Sequence, residues 1–138
     1  MKNYQLAFIK TLTASDIDPK ISNQHELHGV KKLERIFGII TSDKKIQVPA
    51  TIKLGYSGTE YLINITWYNA RAKSNNRHEY RLYYDSTSNT IMSTLQSGDD
   101  IFIGKTMDNH IEIIIFKQTN RGFNDWTPLD HTQTIAME

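Results

Sequence analysis

The stretch "IFIGKTMDNHIEIIIFK", residues 101–117, decides the architecture of this chain. Apolar residues alternate along both of its halves, and Asp108–Asn109 between them reads as a two-residue turn, so the stretch is predicted to form a β-hairpin. A strand as apolar as Ile111–Phe116 would template aggregation from an open sheet edge. Closing or covering the sheet removes that edge, which points to a barrel or sandwich.

Working outward, "QVPATIKLGY" (47–56) and "EYLINITWY" (60–68) form a second hairpin joined by "SGT". The stretch "WYNARAKSNNRHEYRLYY" (67–84) makes a third, long and polar at its tip, returning through "EYRLYYD". A first strand lies at "YQLAFIKT" (4–11), with Leu6, Phe8 and Lys10 on one face. From Ala14 to Gly29 the chain is polar and irregular, with Asp16, Asp18 and Pro19 as breakers. "GVKKLERIFG" (29–38) is predicted as a helical turn or two, with Val30, Leu33 and Phe37 on one side and a glycine at each end. "TIMSTLQ" (90–96) reads equally as a helical turn or a strand, and residues 118–138 read as a covering segment or tail. About seven short strands with one or two short helices point to a mainly β, mostly antiparallel barrel or sandwich. No repeat or linker divides the chain, so residues 1–138 are expected to form one domain.

Composition sets limits on function. The formal net charge is +1, so a nucleic-acid role must rest on local charge. There is no cysteine, which excludes disulfides and thiolate metal sites. The opening "MKNYQLAFIK" does not read as a signal peptide, and no run approaches the ~18 apolar residues of a membrane span. A soluble intracellular protein is the expectation.

Charge is unevenly distributed. Residues 67–84 carry Arg71, Lys73, Arg77 and Arg81 against Glu79, a balance of +3. Residues 20–35 carry Lys20, Lys31, Lys32 and Arg35 against Glu26 and Glu34, a balance of +2, with His25 and His28 nearby. From Gln96 onward the balance is −4. Both basic segments contain loops that a barrel can place on one rim. Their residue types suit base reading: Arg grips guanine O6 and N7 with two parallel hydrogen bonds, Glu accepts from the cytosine amino group, and Asn or Gln pairs with adenine. "NNRHEYR" supplies Asn75, Asn76, Arg77, His78, Glu79 and Arg81, and "NQHELH" supplies Asn23, Gln24, His25 and His28. An acid inside a basic loop weakens indiscriminate phosphate binding and so favours discrimination. The ordinary alternative is that Glu79 pairs with Arg77 or Arg81 across a solvated hairpin.

Two long segments, "FIKTLTASDIDPKISNQHELHGVKKLERIFG" and "ITWYNARAKSNNRHEYRLYY", resemble the N-terminal effector domain of EcoRII-type restriction endonucleases. That domain is a DNA-binding pseudobarrel related in fold to a plant transcription-factor domain. The likeness runs from about Tyr4 to Lys117. It implies a seven-stranded pseudobarrel whose two loop arms, here about 18–28 and 71–81, clamp the DNA major groove. Arg77, Glu79 and Arg81 match reading positions of the second arm, and Asn23, Gln24 and His28 occupy those of the first. The family has lysine at the positions of Asn75 and Tyr80, histidine at Asn23 and tyrosine at His28. The resemblance implies double-stranded DNA as partner, a site of 5'-CCWGG or a close variant, and a monomer in the bacterial cytoplasm with no membrane partner. It also implies no cofactor for binding, with Mg²⁺ belonging to a separate nuclease domain.

Other signals carry less. Catalysis of the usual restriction type needs acids and a lysine around Mg²⁺. Asp108, Glu112 and Lys117 are the nearest candidates, but their spacing is wrong, so the chain is not expected to be an enzyme. His25 and His28 with His110 or His131 form a weak metal candidate. The "NIT" sequon at Asn64 falls inside a predicted strand. Trp67, Tyr68, Tyr83 and Tyr84 suit core and rim packing better than base stacking. Lys31, Lys32 and Arg35 read as either a solvated face or a phosphate anchor. A protein-interaction module stays open as a second class, with Arg77 and Arg81 pairing acidic partners and Trp126 as its anchor.

Overall fold

The computed structural model describes residues 3–17, 26–72, 78–130 and 133–134. Among them one eight-stranded sheet curls into a half-barrel, in the order β2-β5-β4-β3-β7-β6-β1-β8. The strands are β1 (Tyr4–Thr11), β2 (Glu26–Leu27), β3 (Ile46–Leu54), β4 (Tyr61–Asn69), β5 (Tyr80–Tyr84), β6 (Asp100–Thr106), β7 (Ile111–Phe116) and β8 (Thr127–Pro128). All pairs are antiparallel except β3 with β7, where Ala50 faces Ile111 and Leu54 faces Ile115. Pro49 lies one residue before β7 joins, where β3 still has a free side and a missing N–H is tolerated.

Eight strands replace the expected seven. The additional ones are β2 and β8, each two residues long, in segments read as irregular or as tail. Two residues have no periodicity to detect, so only their pairing partners reveal them. The ambiguous 90–96 segment contributes no strand: a 3₁₀ turn (Ser86–Ser88) leads into α3 (Asn89–Met92). Helical turns exceed the one or two expected. A 3₁₀ turn (Lys31–Leu33) runs into α2 (Glu34–Phe37) as anticipated, and α1 (Ala14–Ile17) is added. The α1 turn forms because Thr13 and Asp16 cap it reciprocally, the Asp16 carboxylate accepting from Thr13 N–H at 2.8 Å and Asp16 N–H donating back to Thr13 C=O at 3.1 Å. The turn between β6 and β7 is longer than the two residues expected: Thr106 N–H bonds His110 C=O at 2.8 Å, leaving three residues between them. Met107, Asp108 and Asn109 close it, with Asn109 at φ 68° in the left-handed region that asparagine tolerates.

Strand alternation sorts the side chains onto two faces. The inner face carries Phe8, Ala50, Ile52, Ile63, Ile65, Trp67, Leu82, Ile101, Ile103, Ile111, Ile113 and Ile115, closed by Val30, Leu33 and Ile36 from the helical turns and by Trp126. The outer face divides in two. Over β1, β6 and β7 a second small core gathers Ala7, Phe102, Ile114 and Phe116, with Tyr4, Tyr56 and Leu129 against it. Over β4 and β5 no described strand or helix covers the outer face, and Leu62 is 77% exposed, whereas Lys53 on β3 is buried beside Tyr56 and Glu112. No helix among the described residues is long and apolar enough to cross a membrane.

Two buried acids hold the C-terminal segment in place. Asp100 accepts from Thr11 and Thr119, and Asp99 accepts from the Lys117 ammonium and from the backbone N–H groups of Gln96 and Gln118. From there the chain crosses to β1, where Leu129 N–H bonds Ala7 C=O at 2.9 Å and Thr127–Pro128 pairs with Phe8–Ile9. Burial pushes the Asp99 carboxyl up, but the Lys117 bond and the two N–H donors outweigh it and hold it below the usual carboxylate range. A carboxyl lowered on folding contributes stability above its unfolded titration range and loses it as pH falls through the lowered folded value. Urea unfolding followed by circular dichroism should therefore show stability falling as the medium is acidified below the ordinary carboxylate range. Asp99→Asn should be less stable at neutral pH and show a shallower acid limb.

Gly58 in the β3–β4 connection answers a close approach: a Cβ there would lie 2.1 Å from the Leu54 carbonyl oxygen. Gly58→Ala is expected to cost on the order of 1–3 kcal/mol, read as a lowered melting temperature, because backbone rather than a mobile side chain must give way.

Candidate nucleic-acid interface

The expected arm residues divide by position. Lys20, Asn23, Gln24, His25, Lys73, Asn75, Asn76 and Arg77 lie outside the described residues. His28, Arg71, His78, Glu79 and Arg81 lie within them and come together where β2, β4 and β5 meet. β2 follows residues 18–25 and β5 follows residues 73–77, and the two strands pair through Glu26 with Tyr83 and Leu27 with Leu82. The chain leaving one arm therefore lies beside the chain leaving the other.

The base of the second arm is built on Asn69, the last residue of β4, which is 5% exposed. Its Oδ1 accepts from the backbone N–H groups of Arg71 and Glu79, both at 3.1 Å, and its Nδ2 donates to Ile40 C=O at 2.9 Å. Nδ2 also lies 2.7 Å from His78 Nδ1. With Oδ1 committed to two N–H donors the amide has one orientation, so His78 Nδ1 is the acceptor and the neutral ring carries its proton on Nε2. Ala70 N–H to Glu79 C=O, at 2.8 Å, closes the neck of the loop.

Below this neck an aromatic column joins the arm to the core. His78 lies over Tyr80 at 6.3 Å, Tyr80 stacks on Trp67 at 4.6 Å, and Trp67 packs against Phe37 at 5.1 Å. Trp67 donates to Gly38 C=O at 2.9 Å, and the Tyr80 hydroxyl accepts from Ile40 N–H at 3.0 Å. Each well-stacked pair adds about 0.5–1.5 kcal/mol beyond its area. Burial raises the Tyr80 phenol above its ordinary titration range, so it stays neutral. Trp67 and Tyr84 are thus packing residues, while Tyr68 and Tyr83 lie on the outer face, as their period-two spacing suggested.

On the outer face the charges form one connected row. Arg71 Nε donates to Glu79 at 2.6 Å, Arg81 lies 3.9 Å from Glu79 and 3.5 Å from Glu26, and His28 Nε2 lies 3.6 Å from Glu26. Tyr68 donates its hydroxyl to Glu26 at 2.8 Å, and the Lys45 ammonium sits 4.8 Å from the Tyr68 ring centroid. Burial, aided by the Glu26 hydrogen bond, raises the Tyr68 phenol. The Arg71 hydrogen bond lowers the Glu79 carboxyl, with Arg81 and His28 adding to the effect. Glu79 therefore pairs inside its own hairpin, but its close partner is Arg71 rather than the expected Arg77 or Arg81: Arg81 stands 3.9 Å away and Arg77 lies outside the described residues. The Arg71 and Glu79 side chains are 50% and 37% exposed, and such exposed pairs are worth little, so they can be exchanged for other partners at low cost. Sequence reasoning missed Glu26 and Tyr68. Glu26 sat in a segment read as irregular, and nothing in its local pattern shows that it faces β5.

The remaining candidates separate. Asp108 and His110 are exposed and lie 3.6 Å apart, Glu112 is buried against Tyr4 and Lys53, and Lys117 is held by Asp99. Asp108, Glu112 and Lys117 thus belong to three different networks. Among the described residues no group of three or more potential metal ligands occurs, and His25 and His131 fall outside them. Lys32 pairs with Asp125 at 2.8 Å and Arg35 covers the Phe8 ring at 5.6 Å, so neither is a purely solvated cation. Trp126, named as the anchor of the protein-interaction alternative, is 1% exposed in the core. A single indole in a tail shows no periodicity, so its sequence context could not distinguish an anchor from a plug. Asn64 lies exposed within β4. No protein-family model matches this chain, and no curated protein matches it.

Asn69→Ala leaves the Arg71 and Glu79 N–H groups without this partner and the Ile40 carbonyl with only the longer Tyr80 hydroxyl contact at 3.4 Å, and should cost on the order of 3 kcal/mol in urea unfolding. Asn69→Asp keeps the acceptor but not the donors, and its loss should be intermediate. A loss no larger than that of an exposed Asn→Ala control would show that water replaces these bonds.

Proposed function

We propose that this chain is a sequence-specific reader of double-stranded DNA, the target-recognition module of a type II restriction endonuclease, engaging 5'-CCWGG or a close variant in the major groove with two loop arms. The observation that carries the reading is the β2–β5 pairing, which sets the bases of the two arms side by side over a row of arginines and carboxylates. The curled sheet is compatible with a pseudobarrel, and the resemblance from about Tyr4 to Lys117 supports the arm assignment.

In this reading Arg71 leaves its exposed pair with Glu79 on contact with DNA, and the half-buried Arg81 turns from its longer contact with Glu79. A guanidinium then takes guanine O6 and N7, and the freed Glu79 carboxylate accepts from the cytosine amino group of a G·C pair. Residues 73–77 and 20–25 supply further contacts to bases and phosphates. A single copy meets the near-palindromic site asymmetrically, because its two arms differ in sequence. Recognition needs no cofactor, and DNA cleavage belongs to a separate Mg²⁺-dependent nuclease domain of a longer bacterial cytoplasmic protein.

The test is a competition shift assay with a labelled CCWGG duplex against unlabelled CCWGG, single-substituted and scrambled duplexes. Each wrong base pair should cost about 1–3 kcal/mol, and Arg81→Ala should remove most of that discrimination. Affinity should fall steeply with salt, with a slope near 0.9 per phosphate neutralised. Equal binding to scrambled DNA overturns the site. No binding at low salt overturns DNA reading altogether and leaves a protein-interaction module.

A further inference from the structure

β2 is too short to hold the first arm by backbone pairing alone, since two residue pairs are a fraction of what even a marginal hairpin offers. Leu27, 5% exposed, fastens it from the core side. On the outer side a carboxylate adds to the fastening. Glu26 accepts from Tyr68 Oη on β4 at 2.8 Å and faces Arg81 on β5 at 3.5 Å, so one side chain spans three strands. Tyr68 and Arg81 are themselves register partners, and Glu26 caps that pair from the first arm.

Three polar atoms in this notch are shut off from solvent and make no hydrogen bond to a described residue: Glu26 Oε2, His28 Nε2 and Arg81 Nε. Apart from the Tyr68 hydroxyl bond to the other Glu26 oxygen, these charges face one another by proximity rather than by directed bonds, a costly arrangement unless it serves a geometry. Glu26 draws Arg81 from one side and Glu79 draws it from the other, at 3.5 and 3.9 Å. The direction of the Arg81 guanidinium is thus set by a carboxylate belonging to the opposite arm. Since Glu26 Oε2 has no access to solvent, this carboxylate oxygen is not placed to reach a base itself.

We infer that Glu26 is a positioning residue for DNA reading: it ties the bases of the two arms together and aims Arg81, so that choice among sequences depends on a side chain that touches no base. The inference rests on the DNA-reading function proposed above. Its signature is lost discrimination at an unchanged salt slope that, unlike the loss of a residue reading a base itself, depends on the presence of Arg81.

Glu26→Gln keeps the shape of the side chain and an oxygen for the Tyr68 hydroxyl, but removes the charge that faces Arg81 and His28. Two measurements test it. In the competition assay, the ratio of affinities for CCWGG and single-substituted duplexes should fall about tenfold in Glu26→Gln, a figure equivalent to one base-pair mismatch. The salt slope should stay at the wild-type value, and the same substitution in an Arg81→Ala background should change little more. A wild-type ratio, or an equal effect with and without Arg81, overturns the aiming role. Independently of DNA, backbone hydrogen exchange in the free protein should be faster across β2 and β5 in Glu26→Gln while β6 and β7 exchange as in wild type. Unchanged exchange at β2 and β5 overturns the tie. Faster exchange in a protein whose wild type shows no preference for CCWGG upholds the tie and places the failure in the DNA reading.

Discussion

Every residue of β7 from Ile111 to Phe116 is buried, and the rest of the molecule is arranged around meeting that requirement. A strand covered on one face needs a core; a strand covered on both needs a second layer over its back. The inner face is met by the curl of the sheet and by the helical turns. The outer face is met by Phe102, Phe116 and the Tyr4 and Tyr56 rings, with Leu129 from the C-terminal segment. Asp99 and Asp100, each 0% exposed, exist to satisfy the polar cost of routing that segment across the sheet. At roughly 25 cal/mol per Å² of apolar surface, the buried isoleucines of one strand outweigh the net worth of any single hydrogen bond here.

The same sheet leaves its other half open, and that asymmetry positions the candidate interface. Over β4 and β5 no described strand or helix covers the back, so charged and aromatic side chains on those strands reach solvent while the inner side stays packed. Polar groups here fall into two kinds. Asn69 is buried and fully bonded, which makes the neck of the second arm rigid. Arg71 and Glu79 are exposed and paired loosely in energy, though closely in distance, which makes them exchangeable. A rigid neck beneath exchangeable charges is the arrangement that a reader of another polyelectrolyte needs, since the geometry is fixed before contact and the partners are not.

Local sequence was informative wherever burial follows a period. The six longer strands, the helical turns at 31–37 and the packing role of Trp67 all carry alternation or helical spacing within one window, and the hydrophobic effect acts on that spacing directly. It was silent where an element is shorter than its own period. β2 and β8 are strands only because β5 and β1 offer them unpaired backbone. The turn at 107–109 was one residue longer than its composition suggested, because the left-handed residue there adds a position without adding a signal.

For the site, the sequence by itself determined the chemistry: arginines mixed with an acid in a loop between strands, and a neutral chain whose positive charge is local. Tertiary structure decided the partners. Glu26 and Arg81 are 55 positions apart in the chain yet lie 3.5 Å apart in space, and Trp126 enters the core from a tail without pattern. Ion pairing and burial act on distance in space, and a one-dimensional pattern encodes that distance only where neighbours in the chain are also neighbours in the fold.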